Sequence, residues 1–371
     1  MNKQFEHIRV IITGGGTGGH VFPAIAIAEE LKRRFQKASI LFVGAEGRME
    51  MEKVPAAGFD IRGLPVMGFQ RRLTGRNIKV LYNLLRSVRK AGKIIEEFRP
   101  EIVIGVGGYA SGPVLRSAAR KGILTFLQEQ NSYAGLTNKL LAKKAKKISV
   151  AYKDMNKYFP ADKIVLTGNP VRTFRMNEKL KEEGIRYFNL DKERPVVLVV
   201  GGSLGARTIN ESILKGIGIF MDANLQVIWQ TGKYYYEDML SRIPIKDERI
   251  RIYAFITRMD LAYNVADLII SRAGAISISE LCLVGKPCIL VPSPNVAEDH
   301  QTRNARALVS ENAADMIADR DAVQLLADRS VELINNKHYC EELSANIKRM
   351  ARPDATKHIV DEIIKLLETE R

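Results

Sequence analysis

A chain of 371 residues, 46% of them apolar, with a formal net charge of +15, is too long for one ordinary core and too apolar for disorder, so two globular domains are expected. Three cysteines, Cys282, Cys288 and Cys340, form no CxxC pair; that argues against a zinc site or disulfide frame, for a reducing compartment, and for three small buried side chains. No run of about 18 apolar residues is present to span a bilayer, and the opening MNKQFEHIRVIITGGG lacks a secretory pattern, so a cytosolic protein, or one attached to a membrane from the cytosolic side, is expected.

The first apolar run, Val10–Thr13, flows into GGGTGGH, where five of six consecutive positions are glycine, and then into the helical pattern Ala24–Phe35. Glycine so dense invites close approach to the backbone, most often by a phosphate. Gly14, Gly16 and Gly19 satisfy GxGxxG, which makes dinucleotide binding one candidate; after the next strand, Ile40–Val43, the acidic residue that reading needs would be Glu46, a little late. No GxxxxGK[ST] occurs, so a P-loop is excluded. His20 follows the glycines directly, where an imidazole is either a proton carrier beside a bound diphosphate or a structural side chain.

From Ile61 to Ile95 there are nine basic residues and no acidic one. Within Val66–Lys90, Met67, Phe69, Leu73 and Leu81 mingle with Arg71, Arg72, Arg76 and Lys79, a mixture suited to an anionic lipid surface. In the helix Ile78–Phe98 the residues Ile78, Leu81, Leu85, Val88 and Ile95 share a face and are assigned to the core, which leaves Met67–Leu73 as the membrane candidate. The strand Ile102–Gly105 leads into a second glycine turn, GVGGYASGP. Ile123–Leu127 leads to Glu129 in QEQN, either a second candidate base or a loop carboxylate that orients Asn131 or a backbone amide. Gln130–Lys153 carries six lysines and no acid, and its segment LAKKAKK, Leu141–Lys147, extends the basic patch. Strands Ile148–Val150 and Ile164–Thr167 follow, and TGNPVRT, Thr167–Thr173, punctuates the chain as a domain joint.

The pattern then restarts. Val196–Val200 runs into a third glycine turn, GGSLGARTIN. Gln226–Trp229, Ile250–Ala254 and Leu268–Ser271 follow, and the last opens into SRAGAISISEL, a helix start with small residues and unpaired amides suited to a diphosphate. Glu280 in its first turns could accept ribose hydroxyls or simply meet the helix dipole. Beyond Cys288–Val291, the DxD of Asp319–Asp321 reads as the capped start of a helix, and Arg352-Pro353-Asp354 precedes a last helix, Ala355–Thr369. Strands alternating with helices mean an α/β protein with parallel sheets. The expected architecture is two Rossmann-like, doubly wound domains facing across a cleft, residues 1–170 and 171–352, with 353–371 returning to the first; ligands would bind at the carboxyl ends of the strands.

In order, GGGTGGHVFPA, GVGGYASGP, EQNSYAGLTNK, GNPVR, GGSLGARTIN, SRAGAISISE and EDHQTRNA resemble the cytosolic N-acetylglucosaminyltransferases of peptidoglycan synthesis, the MurG family. The likeness spans nearly the whole chain. It implies a GT-B fold and an inverting transfer from UDP-N-acetylglucosamine to the lipid-linked muramyl-pentapeptide, lipid I, giving lipid II at the cytoplasmic face of the bacterial inner membrane. It further implies that Ile256 meets the uracil through backbone atoms, that Ser203 and the turn Ala275, Ile276, Ser277, Ile278 and Ser279 hold the phosphates, that Glu280 holds the ribose, and that Gln301 contacts the donor sugar. Thr17, Gly18, Gly19, Asn131 and Arg172 match family positions for donor binding. Leu204 stands where some relatives carry Gln.

Negative charge grows on the β-phosphate as an oxocarbenium-like centre forms, and backbone amides with a helix dipole can carry it without metal or cofactor. Inversion needs a base for the acceptor hydroxyl, with His20 the first choice and Glu129 the second. The expected partners are therefore the nucleotide sugar, lipid I and an anionic phospholipid surface, engaged by Met67, Phe69, Arg71, Arg72 and Leu73. A nucleic-acid-binding protein would explain the charge but not the glycine turns, and in the basic stretch Ile61–Ile95 only Phe69 and Tyr82 are aromatic. A nicotinamide-dependent oxidoreductase would depend on Glu46. A UDP-N-acetylglucosamine epimerase would keep the donor motifs without needing TGGH together with GGYASGP.

Overall fold

Short apolar runs such as RVIIT and VVLVV form strands buried on both faces, as parallel sheets require. The structure, a computed structural model, describes residues 7–66, 76–172, 174–202, 204–243, 247–296 and 299–370, with backbone alone at 76–81. The chain divides into two units, Met1–Arg172 with Asp354–Arg371, and Thr173–Pro353.

In the first unit the elements are β1 (Arg9–Thr13), α1 (Gly18–Arg34), β2 (Ser39–Ala45), α2 (Glu50–Ala56), β3 (Asp60–Leu64), α3 (Arg76–Phe98), β4 (Ile102–Gly105), α4 (Ser111–Arg120), β5 (Leu124–Glu129), α5 (Leu136–Leu141), β6 (Lys147–Val150) and β7 (Ile164–Leu166). Its strands pair in the order β3-β2-β1-β4-β5-β6-β7, all parallel. Ile12 of β1 lies opposite Phe42 and Ile104, and because side chains alternate along a strand, these three pack into one core while Ile11, Val43 and Val103 pack into another on the opposite face.

The second unit comprises α6 (Glu178–Phe188), β8 (Val196–Val200), α7 (Arg207–Asp222), β9 (Gln226–Gln230), α8 (Tyr236–Arg242), β10 (Ile250–Tyr253), α9 (Met259–Val265), β11 (Leu268–Ser271), α10 (Ala275–Val284), β12 (Cys288–Leu290), α11 (His300–Val309), β13 (Asp315–Met316), α12 (Asp319–Asn335) and α13 (Lys337–Arg349). Its parallel sheet runs β10-β9-β8-β11-β12-β13. The last helix, α14 (Ala355–Thr369), belongs to the first unit: Ile359, Val360, Ile363 and Leu367 join the core under α1, and Asp361 pairs with Arg34. Each sheet reverses its winding once, between β1 and β4 and between β8 and β11, and a doubly wound sheet opens its binding crevice at such a point.

Three expectations need correction. Helix α1 begins at Gly18, well before Ala24: Thr17 accepts the amides of His20 and Val21, and packing of Val21, Ala24, Ile25 and Ala28 overrides the poor propensity of Gly18, Gly19 and Pro23. Leu85, assigned to the core, is 58% exposed, because α3 buries the stripe Ser87, Ala91, Ile94 and Ile95; Ile78 and Leu81 lie outside the described side chains. Cys340 is only half-buried, although Cys282 and Cys288 are buried as expected. Among the described residues no helix is long and apolar enough to cross a membrane.

Candidate active site

At the β1–β4 switch of the first unit two glycine turns meet. Gly16 sits at φ +86°, and Gly107 and Gly108 at +96° and +85°, a region that favours glycine. A Cβ on Gly108 would lie 2.4 Å from the carbonyl oxygen of Gly15, and one on Gly107 would lie 2.7 Å from Cδ2 of His20, so the backbone of one turn is in contact with the other turn and with the imidazole. Ser111, at the start of α4, donates to the carbonyls of Thr13 (3.0 Å) and Gly107 (2.8 Å), tying the ends of β1 and β4 together. His20 is half-buried, with Nδ1 3.2 Å from Oγ1 of Thr17. Thr17 and Gly19 are exposed at the start of α1 and Gly18 is half-exposed.

Beneath the first turn lies a residue the sequence did not single out. Glu50 is 1% exposed; its Oε2 accepts the amide of Gly16 and its Oε1 that of Ala45, both at 2.9 Å. Glu46 instead reaches outward to pair with Lys90 at 2.8 Å.

Glu129, at the end of β5, is also buried. It accepts four hydrogen bonds: from the amide and side chain of Asn131 (3.0 and 3.3 Å), from the amide of Gly135 (3.0 Å) and from Asn138 (2.8 Å). Burial pushes its carboxyl above the ordinary value, and those bonds oppose the shift only partly. Its geometry is that of a carboxylate organising the 131–138 loop, which fixes Asn131. Behind it the side chain of Gln128 donates to that of Asn169, and the side chains of Gln130 and Asn169 donate to the carbonyls of Gln128 and Gln130, all in the interior. Arg172 is exposed at the end of this unit.

In the second unit, Gln230 at the end of β9 joins two loops: its Nε2 donates to Gly202 (3.2 Å) and its Oε1 accepts the amide of Ile256 (2.9 Å). The amide of Ile256 is thus engaged, which leaves its carbonyl as the backbone atom to offer a base. Gly205 and Gly232 pack back to back, a Cβ on Gly205 falling 2.0 Å from the carbonyl of Thr231. Leu204 is 80% exposed beside them.

Helix α10 starts at the end of β11, with Gly274 in extended conformation as its cap and no acidic residue in its first turn. Ala275 and Ile278 are buried, Ile276, Ser277 and Ser279 half-buried, and Ser279 donates back to Ala275 at 2.9 Å. The arrangement presents main-chain donors and the positive end of a dipole. Glu280 accepts the phenol of Tyr263 at 3.3 Å, and Tyr263 in turn packs edge-on against Phe174. Gln301 in α11 accepts the amide of Ser293 at 2.9 Å. Asp319 pairs with Arg272 and accepts from Thr208 at 2.9 Å, so the first member of the DxD ties α12 to the β11 loop and α7. Ser203, Met67, Phe69, Arg71, Arg72 and Leu73 lie outside the described residues.

Burial pushes the thiol of Cys282 up to about 12 and that of Cys288 also upward, which makes both inert. Among the described residues no three His, Cys, Asp or Glu side chains group as a metal site would.

Two family descriptions match the chain: the glycosyltransferase family 28 N-terminal domain over residues 10–150 and its C-terminal domain over 196–359. A protein of Parabacteroides distasonis named UDP-N-acetylglucosamine–N-acetylmuramyl-(pentapeptide) pyrophosphoryl-undecaprenol N-acetylglucosamine transferase is 57% identical over 97% of this chain and 98% of its own. The crystal structure of Acinetobacter baumannii MurG superposes with a TM-score of 0.78 at 28% identity, covering 96% of this chain and 99% of that one. A Neisseria meningitidis UDP-GlcNAc 2-epimerase shares the fold alone, with a TM-score of 0.66 at 16% identity over 96% of this chain and all of that one. The chain therefore belongs to glycosyltransferase family 28 and, within it, to the MurG N-acetylglucosaminyltransferases.

Proposed function

We propose that this chain moves N-acetylglucosamine from UDP-N-acetylglucosamine to the muramyl sugar of lipid I, forming lipid II and releasing UDP. The observation that carries the reading is 57% identity sustained over 97% of the chain with a transferase named for that reaction.

The site chemistry fits it. The acceptor hydroxyl gives its proton to His20 as its oxygen bonds to the anomeric carbon, and the bond from that carbon to the β-phosphate oxygen breaks with its electron pair leaving on UDP. Departing charge is met by the amides at the start of α10, where no carboxylate competes in the first turn, so no metal or cofactor is invoked. Glu280 accepts the ribose hydroxyls, the Ile256 carbonyl faces the uracil, and Ser203, Gln301, Thr17, Gly18, Gly19, Asn131 and Arg172 complete the donor contacts. Attachment is peripheral, at the cytoplasmic face of the inner membrane: Met67–Leu73 enters an anionic lipid surface, and α3 adds the exposed Tyr82 and Leu85 beside the exposed Arg86, Arg89 and Lys90.

The test is transfer of labelled N-acetylglucosamine to a lipid I analogue, run with and without EDTA. A labelled disaccharide product in both arms is expected. Epimerised or merely hydrolysed donor would overturn the transferase reading, and loss of turnover with EDTA would overturn the metal-free one.

A further inference from the structure

The β1 turn of the first unit carries the densest glycine run in the chain, yet the space beside Gly15 is already filled. The carboxylate of Glu50 lies where a side chain on Gly15 would be: a Cβ there would fall 2.0 Å from Oε1. A Cβ on Gly44 would fall 2.6 Å from Cγ of the same residue. Two glycines on two strand ends thus make room for one buried carboxylate. Its two oxygens are divided between those strand ends, Oε2 taking the amide of Gly16 after β1 and Oε1 that of Ala45 at the end of β2. On the opposite side Gly15 is closed in by Gly108, whose Cβ would meet both its carbonyl and its amide. The turn is held from two sides, and the segment that leaves it is Gly16, Thr17 and then His20, whose ring is set against Gly107 and toward Oγ1 of Thr17.

We propose that Glu50 is a positioning residue for the transfer reaction: its buried carboxylate serves as a built-in anion for the glycine turn and, by fixing the amide of Gly16, sets the Thr17–His20 segment in its reactive place. This rests on the reading of His20 as the base. Glu50 does not touch substrate. A bound phosphate would otherwise be the natural partner for such an amide; here the protein supplies the negative group itself, so the turn is shaped before any ligand arrives. Glutamine at this position keeps the volume but only one acceptor oxygen, and it sets an NH₂ group against one of the two amides. The turn then moves, and a displacement of about 1 Å at a reacting group lowers turnover on the order of 100-fold.

The experiment measures kcat and KM for UDP-N-acetylglucosamine, with Tm, in the full chain carrying Glu50→Gln, His20→Ala, both together, and the core control Ile94→Val. For Glu50→Gln a fall in kcat of roughly 10- to 100-fold is expected, with a smaller rise in donor KM because Thr17, Gly18 and Gly19 ride on the same segment. In the His20→Ala background the same change should have little further effect, because both act through one imidazole. Glu50→Asp, too short to reach both amides, should fall between, and it carries the test if Glu50→Gln does not yield soluble protein. Wild-type kcat in Glu50→Gln with a lowered Tm matching Ile94→Val overturns the proposal and leaves the carboxylate a purely structural support. A raised donor KM at unchanged kcat overturns it in favour of donor binding. Full additivity with His20→Ala removes the route through the imidazole. Undiminished turnover in His20→Ala alone would sink the base assignment, a result separate from the kcat of Glu50→Gln.

Discussion

Replacing Glu129 by Gln separates the two roles open to that carboxylate. Four donors converge on its two oxygens, two from Asn131 on Oε1 and one each from Gly135 and Asn138 on Oε2. Glutamine offers one carbonyl oxygen, so whichever way the amide turns, two buried donors lose their acceptor, at about 1–3 kcal/mol each. Against that stands relief of a buried charge, whose desolvation already outweighs the four hydrogen bonds in its effect on the proton. The net expectation is a loss of about 1–3 kcal/mol in the first unit at neutral pH.

The pH dependence has a definite sign. A carboxyl raised in the folded state binds its proton more tightly there than in the unfolded chain. Its contribution is therefore complete below the unfolded value and is lost as pH rises through the raised folded value. Glutamine does not titrate, so the advantage of the wild type over Glu129→Gln should be largest at the acid end and shrink toward neutral pH. Denaturant titrations across that range measure the stability, and steady-state transfer measures turnover. As a loop organiser, Glu129→Gln lowers kcat about tenfold by loosening Asn131 and leaves the shape of the pH–rate profile unchanged. Loss of a general base costs about 10²–10⁴-fold, the range expected for His20→Ala. A fall of that size in Glu129→Gln, with the acid limb of the profile gone, would refute this reasoning and make Glu129 the base.

Glu280→Ala should weaken UDP binding about tenfold by calorimetry, the scale of one good hydrogen bond to a charged group, and unchanged affinity would remove its ribose role. Asp319→Ala leaves Arg272, whose side chain is only 14% exposed, without its carboxylate and Thr208 without its acceptor. The second unit should lose about 2–3 kcal/mol in denaturant titration, below the full penalty for a buried pair because both partners keep some solvent contact. Turnover of the folded fraction should be retained, whereas activity lost without a stability change would show that the aspartate serves the reaction.

The fold was legible because parallel strands buried on both faces must be continuous apolar runs. Val10–Thr13, Ile102–Gly105, Val196–Val200 and Leu268–Ser271 all lie within observed strands for that reason. The two strands not anticipated are edges. In β3, DIRGL carries Asp60 and Arg62 exposed on one face and buries only Leu64 fully, and β13 is two residues long, so neither has an apolar run to betray it. Leu85 shares the apolar stripe yet is exposed, because a helical stripe alone does not specify which part of a long helix overhangs its sheet. Glycine turns and the small-residue start of α10 are local features and stood out at once. Glu50 and Gln230 could not: each is one polar residue whose meaning lies in amides far off in sequence, the amide of Gly16 for the first and that of Ile256 for the second. The nearest written signals are the bare backbone at Gly15 and Gly44, and a glutamine closing the apolar strand QVIWQ.

The two units dispose of their exposed amides in opposite ways, and that difference bears on which of them meets the departing diphosphate. Under the first glycine turn a carboxylate occupies the amide of Gly16, and a second anion brought to the same amide would have to displace it or sit beside like charge. At α10 the cap is glycine, the first turn holds no acid, and the small residues leave room for an approaching group. A dinucleotide enzyme places its pyrophosphate on the first βα turn; here the Gly16 amide of that turn is already taken by Glu50, whereas the glycine cap before α10 has no such carboxylate bound to it among the described contacts. On the proposed function, shape in the first unit and charge stabilisation in the second would be distinct contributions. Filling the β1 turn with a side chain, as in Gly15→Ala, should therefore lower kcat without weakening UDP, whereas damage at Glu280 should do the reverse.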